Sequence, residues 1–510
     1  MGVHLLTLVK RLLIWFLLRL QWIVILCVVL PFNFICEQFL INKKRLVFAI
    51  GTAKRAHGRK VLAIQRQVRE WATNGKSTIM CPVENGQWRS HQIPKGITPI
   101  YIGNLVHILE VNKEALSVRV EPMVTMEDLS RTLIPLGYCV PLVPAIKGLT
   151  VQEAINGGGV GTSGRKYGMF QHICLSYELV MPDGNVVTAS KERNGNAEMQ
   201  ALYYGVPWSR GALGILVAVT LRMIPIKPFV KLMYIPVNSF EEMQSRLIKE
   251  CMCRENEFVE GIQFSNSLGV VLHGKFCEGP LRSEKASVNE IGRWYKPSFY
   301  THLQNIASSI TEHAELVPLQ DFHNRHSRSL FWEVEDLISF GKCFLFQCLV
   351  GRVVPSSIQL LETFTPNMAK SWSLTHVHED LIVPLEHLKE AMDFCDKEFK
   401  IYPLWMCPYN QPSCPGIFRQ RSGRNVLFVS VGVHGNVRRD RFDPKDSIKR
   451  LEEFVISVKG VKMVHGDMRM SRAEFWQMFD SSLYEWIRVK YNCKEAFLDV
   501  YDKICMSING

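Results

Sequence analysis

The stretch from Thr150 to Gly168, TVQEAINGGGVGTSGRKYG, constrains the fold more than any other part of the chain. Its run Gly159 to Gly164 satisfies G-x-G-x-x-G, the turn that opens a dinucleotide-binding helix after a strand. The flanks come in the opposite order. Thr150 and Glu153 have the T-x-x-E spacing of a capping box, so a helix enters the glycines. After Gly164, the residues Ile173, Leu175, Tyr177, Leu179 and Met181 alternate up to Pro182-Asp183-Gly184, the pattern of a strand and a hairpin turn. A Rossmann turn is therefore excluded. So is a Walker A loop, because Arg165 and Lys166 follow Gly164 where Lys and Ser or Thr would be needed. Two readings remain. In one, the amides after Thr150 face a phosphate while Gly157, Gly158, Gly159 and Gly161 let the backbone approach it. In the other, the glycines form a tight structural turn.

The surrounding pattern mixes helices with hairpins and predicts an α+β chain. Val61 to Ala72 has helical spacing, and Thr78 to Cys81 reads as a short buried strand. Leu109 to Val120 reads as a hairpin turning at Asn112-Lys113, and Thr125 caps a helix that ends near Gly137. With 510 residues, two or three domains are expected. We expect an anchor and basic linker over 1–60, a cofactor domain over 61–226 and a substrate domain over 227–510.

The formal charge of +12 is concentrated at one end. The first 66 residues hold eleven Lys and Arg against Glu37 alone, which leaves the rest nearly neutral. A nucleic-acid groove, which spreads basic residues over a folded face, is not expected. Leu12 to Cys36 is largely apolar with Arg19 as its one charge, and its uncharged part from Leu20 is 17 residues long. This predicts an N-terminal transmembrane helix, with a buried or interfacial helix as the alternative. The basic residues from Lys43 to Lys60 follow the run, so the positive-inside bias puts the body in the cytosol. The fifteen cysteines form no framework, as expected of a reducing compartment.

Several long segments carry a resemblance. TVQEAINGGGVGTSGRKYG, KYGMFQHICLSYELVMPDG, PWSRGALGILVA, WYKPSFYTHL, YPLWMCPY and EFWQMFDSSLY are similar, in this order, to the flavin-binding domain of the vanillyl-alcohol oxidase type and, within it, to the delta-24 sterol reductase family. The resemblance implies an FAD-binding PCMH-type domain of two α+β subdomains, followed by a C-terminal α+β domain that holds a sterol against the flavin. It also implies NADPH as reductant, a sterol as partner and an endoplasmic reticulum membrane as location. Carried over by position, the cofactor-binding residues are Thr150, Val151, Asn156, Gly157, Gly158, Gly159, Val160, Gly161, Thr162, Ser163, Tyr167 and Gly168. Gly211, Gly214 and Val217 follow, in a strand whose backbone lies beside the cofactor. Glu178 also matches the family pattern. Cys81 to Trp88 contains no His, so the FAD is expected to be noncovalent.

Two departures stand out. Where the family has Thr-Val-Gly-Gly, this chain has Thr150-Val151-Gln152-Glu153, and a carboxylate near the pyrophosphate predicts weaker FAD binding. Where the family has Tyr-Ala-Asp, this chain has His465-Gly466-Asp467. The implied reduction of an isolated alkene needs a hydride at one carbon and a proton at the other. Asp467 and His434 are the candidate acids. His376 and His378, two residues apart, could form a metal edge, but no cluster completes it and no metal is expected. The basic residues of His323-Asn324-Arg325-His326 could meet a phosphate of NADPH or begin a solvated helix.

Overall fold

The computed structural model describes residues 30–83, 95–192, 196–280, 288–309, 311–327, 374–420, 424–437, 442–464 and 468–509. Most of the apolar run from Leu12, the end of the Cys81 to Trp88 segment and Asp467 lie outside these residues. Among the described residues no helix is long and apolar enough to cross a membrane. Helix α1 (Leu30–Ala49) combines Lys43, Lys44 and Arg45 with apolar residues, and its Phe32, Ile35, Phe39, Leu40 and Leu46 are more than half exposed. Helix α2 (Ala53–Thr73) is amphipathic. It buries Ala53, His57, Ile64, Val68 and Trp71 at helical intervals.

A parallel pair, β1 (Ile79–Val83) and β2 (Ile97–Tyr101), leads into a five-stranded antiparallel sheet. Its strands are β3 (Ile108–Asn112), β4 (Ser117–Val120), β6 (Cys174–Val180), β7 (Val186–Ser190) and β8 (Ile215–Arg222), in the order β3-β4-β8-β6-β7. The short strands β5 (Tyr138–Cys139) and β9 (Ile224–Pro225) pair separately. Both expected hairpins form, β3 with β4 and β6 with β7. Thr125 caps α3 (Met126–Leu133) through a capping box with Asp128, and Gly137 ends that segment at φ 86°. The β4 exit is tied to α2 by Glu121. Its fully buried carboxylate lies 2.9 Å from His57 Nδ1 and 2.7 Å from Lys60 Nζ, and accepts from the His107 amide at 2.7 Å.

From Phe229 onward the chain builds an eight-stranded antiparallel sheet, ordered β13-β10-β12-β11-β15-β16-β14-β17. These strands are β10 (Phe229–Val237), β11 (Phe258–Ser265), β12 (Leu268–Cys277), β13 (His313–Pro318), β14 (His376–Pro384), β15 (Leu404–Gln411), β16 (Val426–Asn436) and β17 (Val461–Lys462). Period-2 alternation gives the sheet two apolar faces. Val377, Leu381, Val429, Val431 and Val433 pack with Met243, Leu247, Leu388, Met392 and Leu451 from three covering helices. Ile262, Leu272, Trp405, Cys407, Tyr409 and Phe428 look the other way and share one core with the five-stranded sheet. The chain then returns: the Arg488 guanidinium bonds the carbonyl of Ala212, and Lys503 Nζ that of Arg210 at 2.9 Å. Met80 bridges to Phe497.

Candidate cofactor and substrate site

The glycine stretch begins as expected and then departs. Helix α4 (Val151–Asn156) opens with the Thr150–Glu153 capping box: Glu153 N–H donates to Thr150 Oγ1 at 3.2 Å, and Thr150 N–H donates to Glu153 Oε2 at 2.8 Å. The next amides are occupied as well. Val151 N–H donates to Val124 O and Gln152 N–H to Pro122 O, both at 2.9 Å. The first-turn amides of α4 therefore do not face an anion, contrary to the cradle expected at this helix end. Thr150 is the cap, and Val151 is a fully buried core residue. The amides of both are taken up within the fold. Glu153 folds back onto its own helix start, so its charge is used in capping.

The loop after α4 has the character the helix end lacks. Gly158, Val160, Gly161, Thr162 and Ser163 are buried, yet none of their amides forms a hydrogen bond among the described residues. Buried amides in folded proteins are almost always paired, and leaving one without a partner costs about 1–3 kcal/mol. Five such donors within six residues, interrupted only by Gly159 whose amide bonds Ala154 O at 2.7 Å, fit a polyanion lying along the loop. Gly158 needs to be glycine on two counts: its φ is +72°, and a Cβ would stand 2.5 Å from the Trp208 ring. At Gly161 a Cβ would stand 2.9 Å from Val143 O. A single helical turn, α5 (Gly164–Tyr167), follows before β6, where the sequence pattern led directly to a strand.

Around the loop lie the other residues carried over by position. Asn156 Oδ1 accepts the Arg210 amide at 2.9 Å, and Trp208 Nε1 donates to Gln171 at 2.8 Å, seating Trp208-Ser209-Arg210-Gly211 against the loop. Trp208, Arg210, Gly211 and Gly214 all have positive φ, at 68°, 50°, 84° and 144°. Two non-glycine residues in that region store backbone strain of the kind that clusters at ligand clamps. Val217 is fully buried and is the extra residue where the β6–β8 register slips between Glu178 and Leu179. Glu178 is held by Arg119 through two bonds of 2.5 and 2.7 Å. Tyr167 is half-buried, with Lys166 beside it paired to Glu257 at 2.9 Å. Tyr167, Thr162, Ser163, Val143, Phe258 and Phe322 line a narrow crevice at the back of the loop.

The loop touches the large sheet directly. Thr162 O accepts from Val259 N–H at 2.8 Å, and a Cβ on Gly164 would stand 2.6 Å from Tyr409 Cβ. Gly168, at φ +78°, is closed in by His172 and by Asn410 O. Arg210 reaches the far edge of the same sheet, where its guanidinium bonds Val464 O. Met463 N–H donates to Asp380 O at 3.0 Å, so the edge beside Val464 runs along Asp380. His434 stands there on β16. It is 2% exposed, with Nδ1 at 2.9 Å from His378 Nδ1 and Nε2 at 3.5 Å from Asp380 Oδ1.

The reading of Arg325 is corrected by its surroundings. Arg325 neither meets a phosphate nor begins a solvated helix. It is 5% exposed and makes two 2.9 Å bonds to Glu260, which also accepts from Trp405 Nε1 at 2.9 Å. Burial opposes ionisation of Glu260, but Arg325 and His326 hold its carboxyl well below the usual range. His323, beside Ser130 Oγ at 3.1 Å, is pushed down to about 3 by burial and by Arg325, so it is neutral. These residues lock the Leu319–His323 helix onto the sheet. As for metal, among the described residues no cluster of three His, Cys, Asp or Glu is placed to hold one.

Comparison with known proteins defines the class first. A family described as FAD binding domain matches residues 85–190, a span that contains the glycine loop. The whole chain then aligns with particular relatives. It is 39% identical to a delta(24)-sterol reductase homolog of Caenorhabditis elegans, over 96% of this chain and 95% of that protein. It is 38% identical to the delta(24)-sterol reductase of Homo sapiens, over 95% and 93%. With the Arabidopsis thaliana enzyme of the same name it shares 32% over 79% and 75%. The chain belongs to the delta(24)-sterol reductase family.

Proposed function

We propose that this chain is an FAD-dependent reductase of the delta-24 double bond of sterol side chains. The observation that carries this is the buried loop in which the amides of Gly158, Val160, Gly161, Thr162 and Ser163 have no partner among the described residues, inside a matched FAD binding domain of a chain that aligns nearly end to end with sterol reductases. Gly158, Val160, Gly161, Thr162 and Ser163 would hold the pyrophosphate through backbone N–H groups, with no charged side chain needed. Noncovalent attachment fits this set of contacts. Bound FAD supplies a hydride to one alkene carbon, and NADPH is the reductant we assign to it. The protein contributes position, exclusion of water and a proton. For the proton, the described residues offer His434. Asp467 remains a candidate by its place just after Val464.

The division of labour follows the sheets. Residues 61–226 carry the cofactor, and 227–510 provide the substrate-facing sheet before the C-terminal helices return to the cofactor side. The exposed apolar residues of α1 beside Lys43, Lys44 and Arg45 support membrane attachment. We assign a single N-terminal span and an endoplasmic reticulum membrane, with the body in the cytosol. A substrate that partitions into bilayers favours an enzyme held there.

Purified protein should carry a visible flavin spectrum that NADPH bleaches anaerobically, and its membranes should reduce a sterol with a 24(25) double bond. A flavin bleached only by an alcohol would instead make the chain an oxidase.

A further inference from the structure

We propose that the outward face of α2 is a second membrane contact, an electrostatic one that seats the cofactor half of the protein on a bilayer bearing anionic lipid. This rests on the membrane-attachment reading and adds to it a face, a lipid class and an orientation. At about 100° per residue, Arg55, Arg59, Leu62 and Arg66 fall within about 60° of one another around α2. His57, Ile64 and Val68 occupy the opposite, buried side. All four outward residues are exposed. None of the three arginines has a carboxylate partner among the described residues, and neither do Lys43 and Arg45 on α1. The neighbouring cations are paired: Lys44 with Asp128 and Lys54 with Glu110, both at 2.8 Å, and Lys60 with Glu121 at 2.7 Å.

A helix face that meets only water is ordinarily laced with charges of both signs. On α2 the one acidic residue is Glu70, in the last turn, while Lys54 and Arg55 stand in the first turn. Both ends therefore oppose the helix dipole, and an anionic surface along the cationic side offsets that cost. The kind of surface is indicated by Leu62, which is more than half exposed in the middle of the stripe. Flanked by arginines whose stems are apolar and whose heads seek phosphate, it suits the boundary between headgroups and acyl chains. The exposed apolar residues of α1 bring the same bilayer within reach. Only Ile50, Gly51 and Thr52 separate the two helices, Ile50 is itself exposed, and Val47 packs near Ala53.

The inner side of α2 is fixed to the body along its length. His57 and Lys60 meet Glu121, Gln65 Nε2 donates to Gly184 O at 2.7 Å, and Trp71 Nε1 donates to Thr78 O at 2.7 Å. A bilayer held against the outer side therefore sets the orientation of the five-stranded sheet, so the body does not swing freely about its anchor. Salt screens this contact and leaves an apolar anchor in place.

Full-length protein reconstituted into vesicles, with a photo-crosslinking amino acid in place of Leu62 or, separately, of Phe39, tests this. With phosphatidylserine in the vesicles, position 62 should form a lipid adduct. With phosphatidylcholine alone, or at high salt, the yield should fall by about tenfold or more. Arg55→Gln, Arg59→Gln and Arg66→Gln together should lower it to the same extent and leave the melting temperature unchanged. Arg55→Lys, Arg59→Lys and Arg66→Lys together should preserve the adduct, because the charge remains. A lipid adduct at position 62 that ignores lipid charge, an adduct to protein in place of lipid, or no adduct there while position 39 still labels lipid overturns the inference alone. No lipid adduct at either position, from protein that fails to float with the vesicles, overturns membrane attachment with it.

Discussion

Glu153 is the residue whose sequence reading changes most. Beside a pyrophosphate its charge would weaken FAD binding, but it accepts from the Thr150 amide and so completes a cap. Glu153→Gly should therefore cost about 1–2 kcal/mol of stability from the lost cap and the added glycine. FAD affinity, measured by fluorescence titration, should be unchanged. Gly158→Ala should behave oppositely, because it combines left-handed backbone with a clash against Trp208. We expect a loss of roughly 2–4 kcal/mol and poor flavin retention, read from thermal unfolding and the visible spectrum. Glu121 predicts a pH effect. Burial alone would raise its carboxyl, but hydrogen bonds from His107, His57 and Lys60 hold it at about 2, against an ordinary 4.5. The unfolded chain binds the proton first on acidification, so this stabilisation is complete above pH 4.5 and is lost as pH falls toward 2. Glu121→Gln should flatten that part of the profile of melting temperature against pH.

Elements defined by neighbouring residues were legible in the sequence. The helix caps at Thr125 and Thr150 form, as do both hairpins, because their signals lie within a few residues. Helix-end availability was not legible. The acceptors that occupy the α4 amides come from Pro122 and Val124, far upstream, and no local pattern encodes them. The same limit hid the histidine pair. His378 read as half of a metal edge with His376, whereas strand register pairs it with His434 on β16. Arg325 read as a surface cation because its partner Glu260 lies on β11, remote in sequence. At this scale α1 yields a prediction: replacing Phe32, Ile35 and Phe39 with Ser should reduce flotation with anionic liposomes, without altering the melting temperature of the body, since these side chains are mostly exposed.

Over the whole molecule, the two sheets are joined by polar contacts as well as by a shared core. Thr162 to Val259, Lys166 to Glu257 and Arg210 to Val464 cross from one to the other. The cofactor loop should therefore report on both. Saturating FAD at a hundredfold its Kd should add about 2.7 kcal/mol to a single cooperative unfolding transition. Calorimetry with and without FAD would show one peak moving rather than two separating. Arg325→Met leaves Glu260 buried without its cation and should cost about 3–5 kcal/mol, measured by urea unfolding.

The return of the C-terminal helices bears on how the protein is made. Phe497, Arg488 and Lys503 complete the surroundings of Met80, Ala212 and Arg210, so the cofactor half lacks part of its core until residues 488 to 503 have been synthesised. While the large sheet is emerging from the ribosome, apolar surface of the first sheet stays uncovered, and such surface is what chaperones bind. Flavin capture is then a late event in the life of the chain. Nascent chains stalled before residue 470 should fail to retain FAD, and release of the full-length chain should restore retention.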